Sequence, residues 1–293
     1  MHSESRLAPK PVITIFGTIT TLSRRHRVTD NPPLYHIGFC AEDLGPTPPT
    51  TALLCGAPER ARQIAMASEG VSCQKTLSEN RGLNSYLLTL DTGQPLLAAT
   101  SGMGAPSLSI VVNELYSVGI RRIIRVGTCG SIQEHVKVGS VVISYAALCR
   151  QGAANDIAPV EYPAAADPYI SVALGNAAAR LHIDHHLGLT ASVDSFYEGQ
   201  ERVDTSANRY LMRQLQGITE EYRRLNILNY EMEAGTLFKM AGVYGFSAGC
   251  VCGVLAGRTA SEAIDGKLKD QAQSNAIRVA LEAVRHLENH MPA

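Results

Sequence analysis

The chain has 293 residues, 45% of them hydrophobic and 18% charged, with a net charge of −1 and a pI near 6.8. That is enough apolar chain for one large core or two ordinary ones. The near-neutral balance excludes a strongly basic nucleic-acid surface but leaves room for a local anion site. Aromatic residues make up 5% and Trp is absent, which argues against a base-stacking platform.

From Arg6 to Thr29 the chain carries Arg6, Lys10, Arg24, Arg25 and Arg27 and no acid. A transit peptide has such a composition, but Pro9, Pro11, Pro32 and Pro33 break any regular helix. A poorly ordered extension over residues 1–33 is the expectation. From Leu34 the pattern becomes regular. "TALLCGAPERARQIA" (51–65) reads as a buried strand, a Gly-Ala-Pro turn and a helix from Pro58. "PLLAATSGMGAPSLSIVVNELYSVGI" (95–120) repeats that design, with Ile110, Val111, Leu115 and Val118 on the helix's apolar face. "RRIIRVGTCGSI" (121–132) is a strand closing in a glycine loop, and "GSVVISYAAL" (139–148) another strand. A helix over 168–183, a strand over 187–197, a strand and long helix within 219–245, a strand over 247–259 and a helix over 270–290 follow.

Strands alternating with helices predict one α/β domain over 34–293 with a largely parallel sheet. Ligands of such sheets bind at the carboxyl ends of strands. The seven cysteines are odd in number and scattered, with no CxxC pair. They read as reduced, buried thiols of a cytoplasmic protein, and no run of residues reaches the roughly 18 needed to span a membrane.

Three strand ends join glycine to a cation or hydroxyl: Gly56 with Arg60, Gly102 and Gly104 at a helix start, and Arg125 with Gly127, Thr128 and Gly130. Glycine lets backbone N–H groups approach an anion, a helix N-terminus favours negative charge, and Arg offers a fork for phosphate. Any one of these loops, taken alone, is more often a plain turn. Arg125 carries more weight, because it sits inside an apolar strand, where a guanidinium needs a partner. Gly102-Met-Gly104 nearly opens a GxGxxG, but Ser107 replaces its last glycine and no acid follows for a ribose. No GxxxxGK[ST] is present, so a small anion such as free phosphate is the expected guest.

In "SFYEGQERVD" (195–204) Phe196, Gln200 and Arg202 offer a ring face, an amide and a guanidinium. An amide suits an imide edge, such as that of uracil; a polar surface loop is the alternative. In "NYEMEAGTLF" (229–238) Glu231 and Glu233 are two apart, so in extended chain they face the same way. A sugar diol, a metal half-site, a glycosidase pair or a helix start carrying Glu233 as a favourable charge all remain open. The histidines His182, His185 and His186 read as a solvated cluster between a helix and a strand.

Together, "YHIGFCAEDL", "CGAPERA", "TSGMGAPSLSI", "RVGTCGSIQ", "FYEGQERVD", "NYEMEAGTLF" and "GRT" resemble the nucleoside phosphorylase family, in its uridine-cleaving bacterial branch. The resemblance runs from Tyr35 to the C-terminus and implies a single-domain, three-layer α/β/α fold with a central mixed sheet. It implies phosphate binding by Gly56, Arg60, Arg125 and Thr128, with Arg81 lent by a neighbouring subunit. His36 would reach across the same interface to the ribose, which Met232, Glu233 and the supporting Glu231 would hold. Phe196, Gln200, Arg202 and Arg258 would hold uracil, with Arg125, Arg202 and Glu233 as the catalytic set. The implied reaction is uridine plus phosphate giving uracil and ribose 1-phosphate. It needs no cofactor, because phosphate is a co-substrate. Gly82 follows Arg81 where members with a structural potassium carry Glu, which counts against that cation. A homo-oligomer is implied, at least a dimer and by family habit a hexamer of three dimers, without nucleic-acid or membrane partners. The rival readings are a purine phosphorylase or nucleosidase on the same fold, and a non-catalytic nucleoside-binding protein.

Overall fold

Nine strands in one sheet carry the fold of the computed structural model, which describes residues 31–258 and 266–287. The extension expected over 1–33 lies outside the described residues except for its last three, as does Thr259 of the "GRT" motif. The strands are β1 (Thr51–Cys55), β2 (Val71–Ser78), β3 (Ser85–Leu90), β4 (Pro95–Thr100), β5 (Arg122–Ser131), β6 (Val141–Arg150), β7 (His185–Val193), β8 (Ile227–Glu231) and β9 (Ser247–Gly257). The helices are α1 (Pro58–Ala67), α2 (Ala105–Ser117), α3 (Gly152–Ile157), α4 (Pro168–Arg180), α5 (Ile218–Arg224), α6 (Ala234–Tyr244) and α7 (Gly266–His286).

The sheet is mixed. β4, β1, β5 and β9 run parallel, as do β6, β7 and β8. The pairs β2–β3, β3–β4, β5–β8 and β6–β9 are antiparallel. The mixed sheet that the resemblance implies is the one that forms, with more antiparallel pairing than the alternation alone suggested, and β2 with β3 escaped that reading. β2 is half-exposed and mostly polar, VSCQKTLS, so it carries no buried run to recognise. β5 is the hub. It pairs with β9 along its whole length on one side, and on the other with β1 and then β8, so that β5-β8-β7-β6-β9 closes into a ring.

Helices cover both faces. α1, α4 and α7 pack on one, over Leu53, Ile124, Val126, Ile143 and Val251. α2, α3 and α6 pack on the other, over Leu54, Ile123, Val142 and Cys250. α5 seals a third, smaller cluster around Ile132, Val193 and Tyr230. The neighbouring positions Leu53/Leu54 and Ile123/Ile124 split between the two faces, as the period of a strand buried on both sides requires. On α2 the buried positions are Ala105, Leu108, Val111, Val112 and Leu115; Val111 and Leu115 keep to the expected face, while Ile110 faces outward.

Two further local readings change. The "RVGTCGS" segment is not a loop: β5 runs through both glycines to Ser131. His185 and His186 begin β7, half-buried, with the His186 ring edge-on to His135 at 5.5 Å. Burial pulls the His186 imidazole below its ordinary value.

β9 meets α7 without any spare room. A Cβ at Gly253 would stand 2.2 Å from the backbone oxygen of Ala272. Gly253→Ala is therefore expected to cost about 3 kcal/mol through forced displacement of α7. Denaturant unfolding of the variant checks this, and an unchanged midpoint would contradict the contact.

Candidate active site

The site forms where β5 changes partners. Over Arg122–Arg125 it lies between β1 and β9, and over Gly130–Ser131 between β8 and β9. β1 stops at Cys55 and β8 at Glu231. The stretch from Val126 to Cys129 is thus flanked on that side by strand ends and their turns, a crevice of the kind where α/β sheets take ligands.

Arg125 occupies this crevice at 4% exposure. Its Nε donates to Glu231 Oε2 at 3.0 Å, and an Nη pairs with Glu233 Oε2. Burial works against the charge, but the Glu233 and Glu231 carboxylates outweigh it and hold the guanidinium well above its ordinary value. The side chain folds back along its own strand. A Cβ at Gly127 would lie 2.8 Å from Arg125 Nη2 and 2.8 Å from Cys252 Sγ. Glycine at 127 is therefore a requirement of space.

The two acids play unequal parts. Glu231 Oε2 accepts from the backbone N–H groups of Glu233 and Ala234, each at 2.9 Å, and Oε1 accepts from the Ser192 hydroxyl. It caps the start of α6, the duty the sequence reading had offered to Glu233. Burial pushes the Glu231 carboxyl up to about 7, and the Arg125 guanidinium pulls against it. Glu233 turns the other way, from Arg125 to the glycine turn after β4. Its Oε1 accepts from Gly104 N at 2.6 Å. Gly102 and Gly104 have φ of 71° and 84°, left-handed values that glycine adopts freely. The turn read as an anion cradle thus points an N–H at one of the chain's own carboxylates.

Arg60, in the first turn of α1, is also buried. Its two Nη atoms donate to Val126 O at 3.3 Å and Gln273 Oε1 at 3.2 Å, which ties it to β5 and α7. Burial and then the nearby Arg125 draw its charge down, and the Cys55 thiol offsets part of this. Gly56 sits beside the carbonyl of Gly102, where a Cβ would be 3.5 Å away, so the turns after β1 and β4 adjoin. Thr128, half-buried, lies between Gly127 and Cys129 on β5.

At the far end of β5 stand the residues singled out for the base. Gln200 is buried, and its Oε1 accepts from Arg202 Nε at 3.2 Å. The Arg202 guanidinium lies over the Phe196 ring at 4.3 Å. A Cβ at Gly130 would be 3.4 Å from Arg202 Nη2 and 3.3 Å from Arg258 Cδ. Arg258 in turn stacks over Tyr230 at 5.2 Å. Gly127 and Gly130 are therefore floors under two arginine groups, one near each end of the crevice.

His36 and Arg81 form a separate group. His36 Nδ1 pairs with Glu114 Oε1 at 2.6 Å, and its ring meets Tyr35 edge-on at 4.9 Å. Arg81, exposed and left-handed at φ 55°, donates to the Tyr35 hydroxyl at 3.4 Å. Among the described residues, no hydrogen bond or ion pair joins either to Arg125 in the same chain.

Several members of the site went unread in the sequence. Ser192 holds Glu231 and accepts from Gly235 N at 2.8 Å. Gln151 holds the Met232 carbonyl, and Gln273 holds Arg60. Only the strand-end position of Ser192 gave a local hint. Among the described residues, no group of three or more His, Cys, Asp or Glu is arranged to hold a metal ion, and the acid pair is committed to Arg125.

Comparison with known proteins fits this arrangement. Residues 50–285 match the phosphorylase superfamily. The chain is 38% identical to a uridine phosphorylase of Klebsiella aerogenes over 254 residues, 87% of this chain and 98% of that protein. It is 39% identical to a uridine phosphorylase of Haemophilus influenzae over 238 residues, 81% and 92% of the two chains. It is 32% identical to a guanosine phosphorylase of Halorubrum lacusprofundi over 244 residues, 80% and 93%. With that match across most of its length, and an α/β sheet carrying a crevice with two buried arginines and an acid pair, the chain belongs to the phosphorylase superfamily.

Proposed function

We propose that the chain catalyses the reversible phosphorolysis of uridine to uracil and ribose 1-phosphate. The observation that carries this is the crevice along β5, with buried Arg125 and its two acids near one end and the Phe196–Gln200–Arg202 group at the other. The identity to uridine phosphorylases along most of the chain supports the choice of base. One relative is a guanosine phosphorylase, which keeps purine cleavage as the rival reading.

In this reading Arg60, Arg125, Thr128 and the Gly56 backbone hold phosphate beneath the sugar. Glu233 and Met232 hold the ribose, and Glu231 keeps the turn and Arg125 in place. Gln200, Arg202, Phe196 and Arg258 hold uracil. The C1′–N1 bond breaks with its electron pair going to the base, while a phosphate oxygen forms the new bond to C1′. Charge builds up positive on the sugar and negative on uracil. Phosphate meets the first, and Arg202 with Gln200 meets the second. The proton that hydrogen phosphate gives up on becoming the ester passes to the uracil anion, which closes the balance. Catalysis is then positioning and electrostatics, with no side-chain nucleophile and no cofactor.

His36 and Arg81 complete the site of a neighbouring copy, so the working form is at least a dimer, and a hexamer of three dimers by analogy. Their grouping around Tyr35, apart from Arg125, supports this assignment. Gly82 after Arg81 argues against an interface potassium. No described helix is long and apolar enough to cross a membrane, and a cytoplasmic location suits the seven free thiols.

Uracil release from uridine, followed by absorbance, should depend on phosphate; equal rates without phosphate, or a preference for inosine, would sink this reading. Arg202→Ala is expected to lower kcat/KM for uridine by about a hundredfold or more with the fold intact. Near wild-type turnover would remove that residue from the base site. Arg125→Met should abolish phosphate dependence and leave two buried carboxylates unpaired, costing about 3–5 kcal/mol of stability near neutral pH. Without Arg125 the Glu231 carboxyl, already pushed up to about 7 by burial, loses the guanidinium that pulls it down and rises further, so the deficit should shrink as pH falls below about 7. Thermal unfolding across pH reads this directly, and a pH-independent deficit would contradict it.

A further inference from the structure

Gln151 lies outside every motif discussed above, yet it is 0% exposed and sits against the turn that carries both acids. Its Nε2 donates to the Met232 carbonyl at 2.5 Å. Its Oε1 accepts from Thr236 N and from Thr236 Oγ1, each at 2.8 Å. One amide thus spans the β8–α6 turn, holding a carbonyl between Glu231 and Glu233 and an N–H in the first turn of α6. The next residue fixes a second segment: Gly152 N donates to Asp194 Oδ2 at 2.7 Å. Asp194 leads directly into Ser195 and Phe196. The Gln151-Gly152 pair therefore ties together the acid turn and the start of the base-facing segment, which are distant in sequence.

We propose that Gln151 is a positioning residue for uridine, setting the Met232–Glu233 peptide against the base-facing segment; this rests on the uridine reading above. An amide donates to a carbonyl and accepts from an N–H at this reach at once, which a carboxylate cannot do. There is little slack for any replacement. A Cβ at Gly235, in the same first turn of α6, would meet Cys149 Sγ at 2.7 Å, so β6 and α6 are already in contact. If the amide is lost, Met232 O and Thr236 N–H lose a buried partner, and the 232–233 peptide is held from its N–H side alone, by Glu231. A peptide held on one side tilts, which shifts Glu233 relative to Gly104 and the sugar. Arg60, which donates to Val126 and Gln273, is untouched.

Gln151→Glu tests the idea, because the two side chains share a shape and differ by one donor. The full-length variant is assayed for uracil release with uridine and phosphate varied separately. At about pH 8 the carboxylate cannot donate to Met232 O. KM for uridine is then expected to rise about tenfold or more, and KM for phosphate to stay within about twofold. Burial beside a carbonyl raises this carboxyl's pKa, so lowering the pH toward about 6 protonates it and restores the donor. Activity relative to wild type should recover over that range. A uridine KM that does not move, an equal rise for both substrates, or the absence of any recovery at low pH would overturn the proposal. Thr236→Val removes one of the bonds to the same oxygen and provides a second reading should Gln151→Glu not fold. A smaller rise in uridine KM is expected, and none would again overturn it. Calorimetric titration of uridine separates this proposal from the activity itself. If the wild type binds uridine without cleaving it, the phosphorolysis reading fails, and weaker uridine binding by Gln151→Glu would still support Gln151. If the wild type does not bind uridine, both fail.

Discussion

A charged guanidinium buried beside a strand's own backbone is the constraint around which the site is arranged. Arg125 can remain ionised at that depth only with carboxylates in contact, and Glu231 and Glu233 supply them. The space the side chain needs excludes a Cβ at position 127. The acids in turn need their own donors, which come from the start of α6, the Ser192 hydroxyl and the Gly104 backbone. Strand β5, the turn after β4, the end of β7 and the start of α6 are thus fixed to one another by a single charge cluster. Such clusters add little net stability, because desolvation consumes most of what the pairing returns. The surrounding apolar layers carry the stability, and the cluster carries the geometry.

Much of this was legible in the sequence, and the misses have physical causes. The strands buried on both faces, TALLC and SAGCVCGVLAG, declared themselves as apolar runs ended by glycine or a turn. The polar strand β2 did not, because its pairing with β3 is backbone chemistry that leaves no apolar run. The glycines of "RVGTCGS" looked like a loop because glycine usually marks one. Here they lie inside β5, where their missing side chains make room for Arg125, Arg202 and Arg258. The acids Glu231 and Glu233 were visible as a pair, but their division into a helix cap and a crevice ligand depends on the direction in which α6 starts. Gln151, Ser192 and Gln273 carry no local signal. Their partners lie far away along the chain, and only the fold brings the two together.

The crevice also separates tasks along a single strand. The end near Arg125 is dry and densely charged, suited to holding an anion without water. The end near Arg202 is partly open, with Phe196 exposed to solvent. A guest that spans both must bridge a buried charge cluster and a more exposed rim.

The closed ring of strands has a consequence for how the protein is made. β5 reaches its full set of neighbours only when β9 pairs with it, and Arg60 is held by Gln273, 213 residues further along. A chain emerging from the ribosome in order has Arg60 and Arg125 long before it has the strand and helix that lock them. The half-made sheet exposes the β5 edge until β9 arrives, and pairings this remote close slowly. The nascent chain therefore has a long interval in which an aggregation-prone edge is open, until β9 closes that edge and α7 sets the first arginine in place.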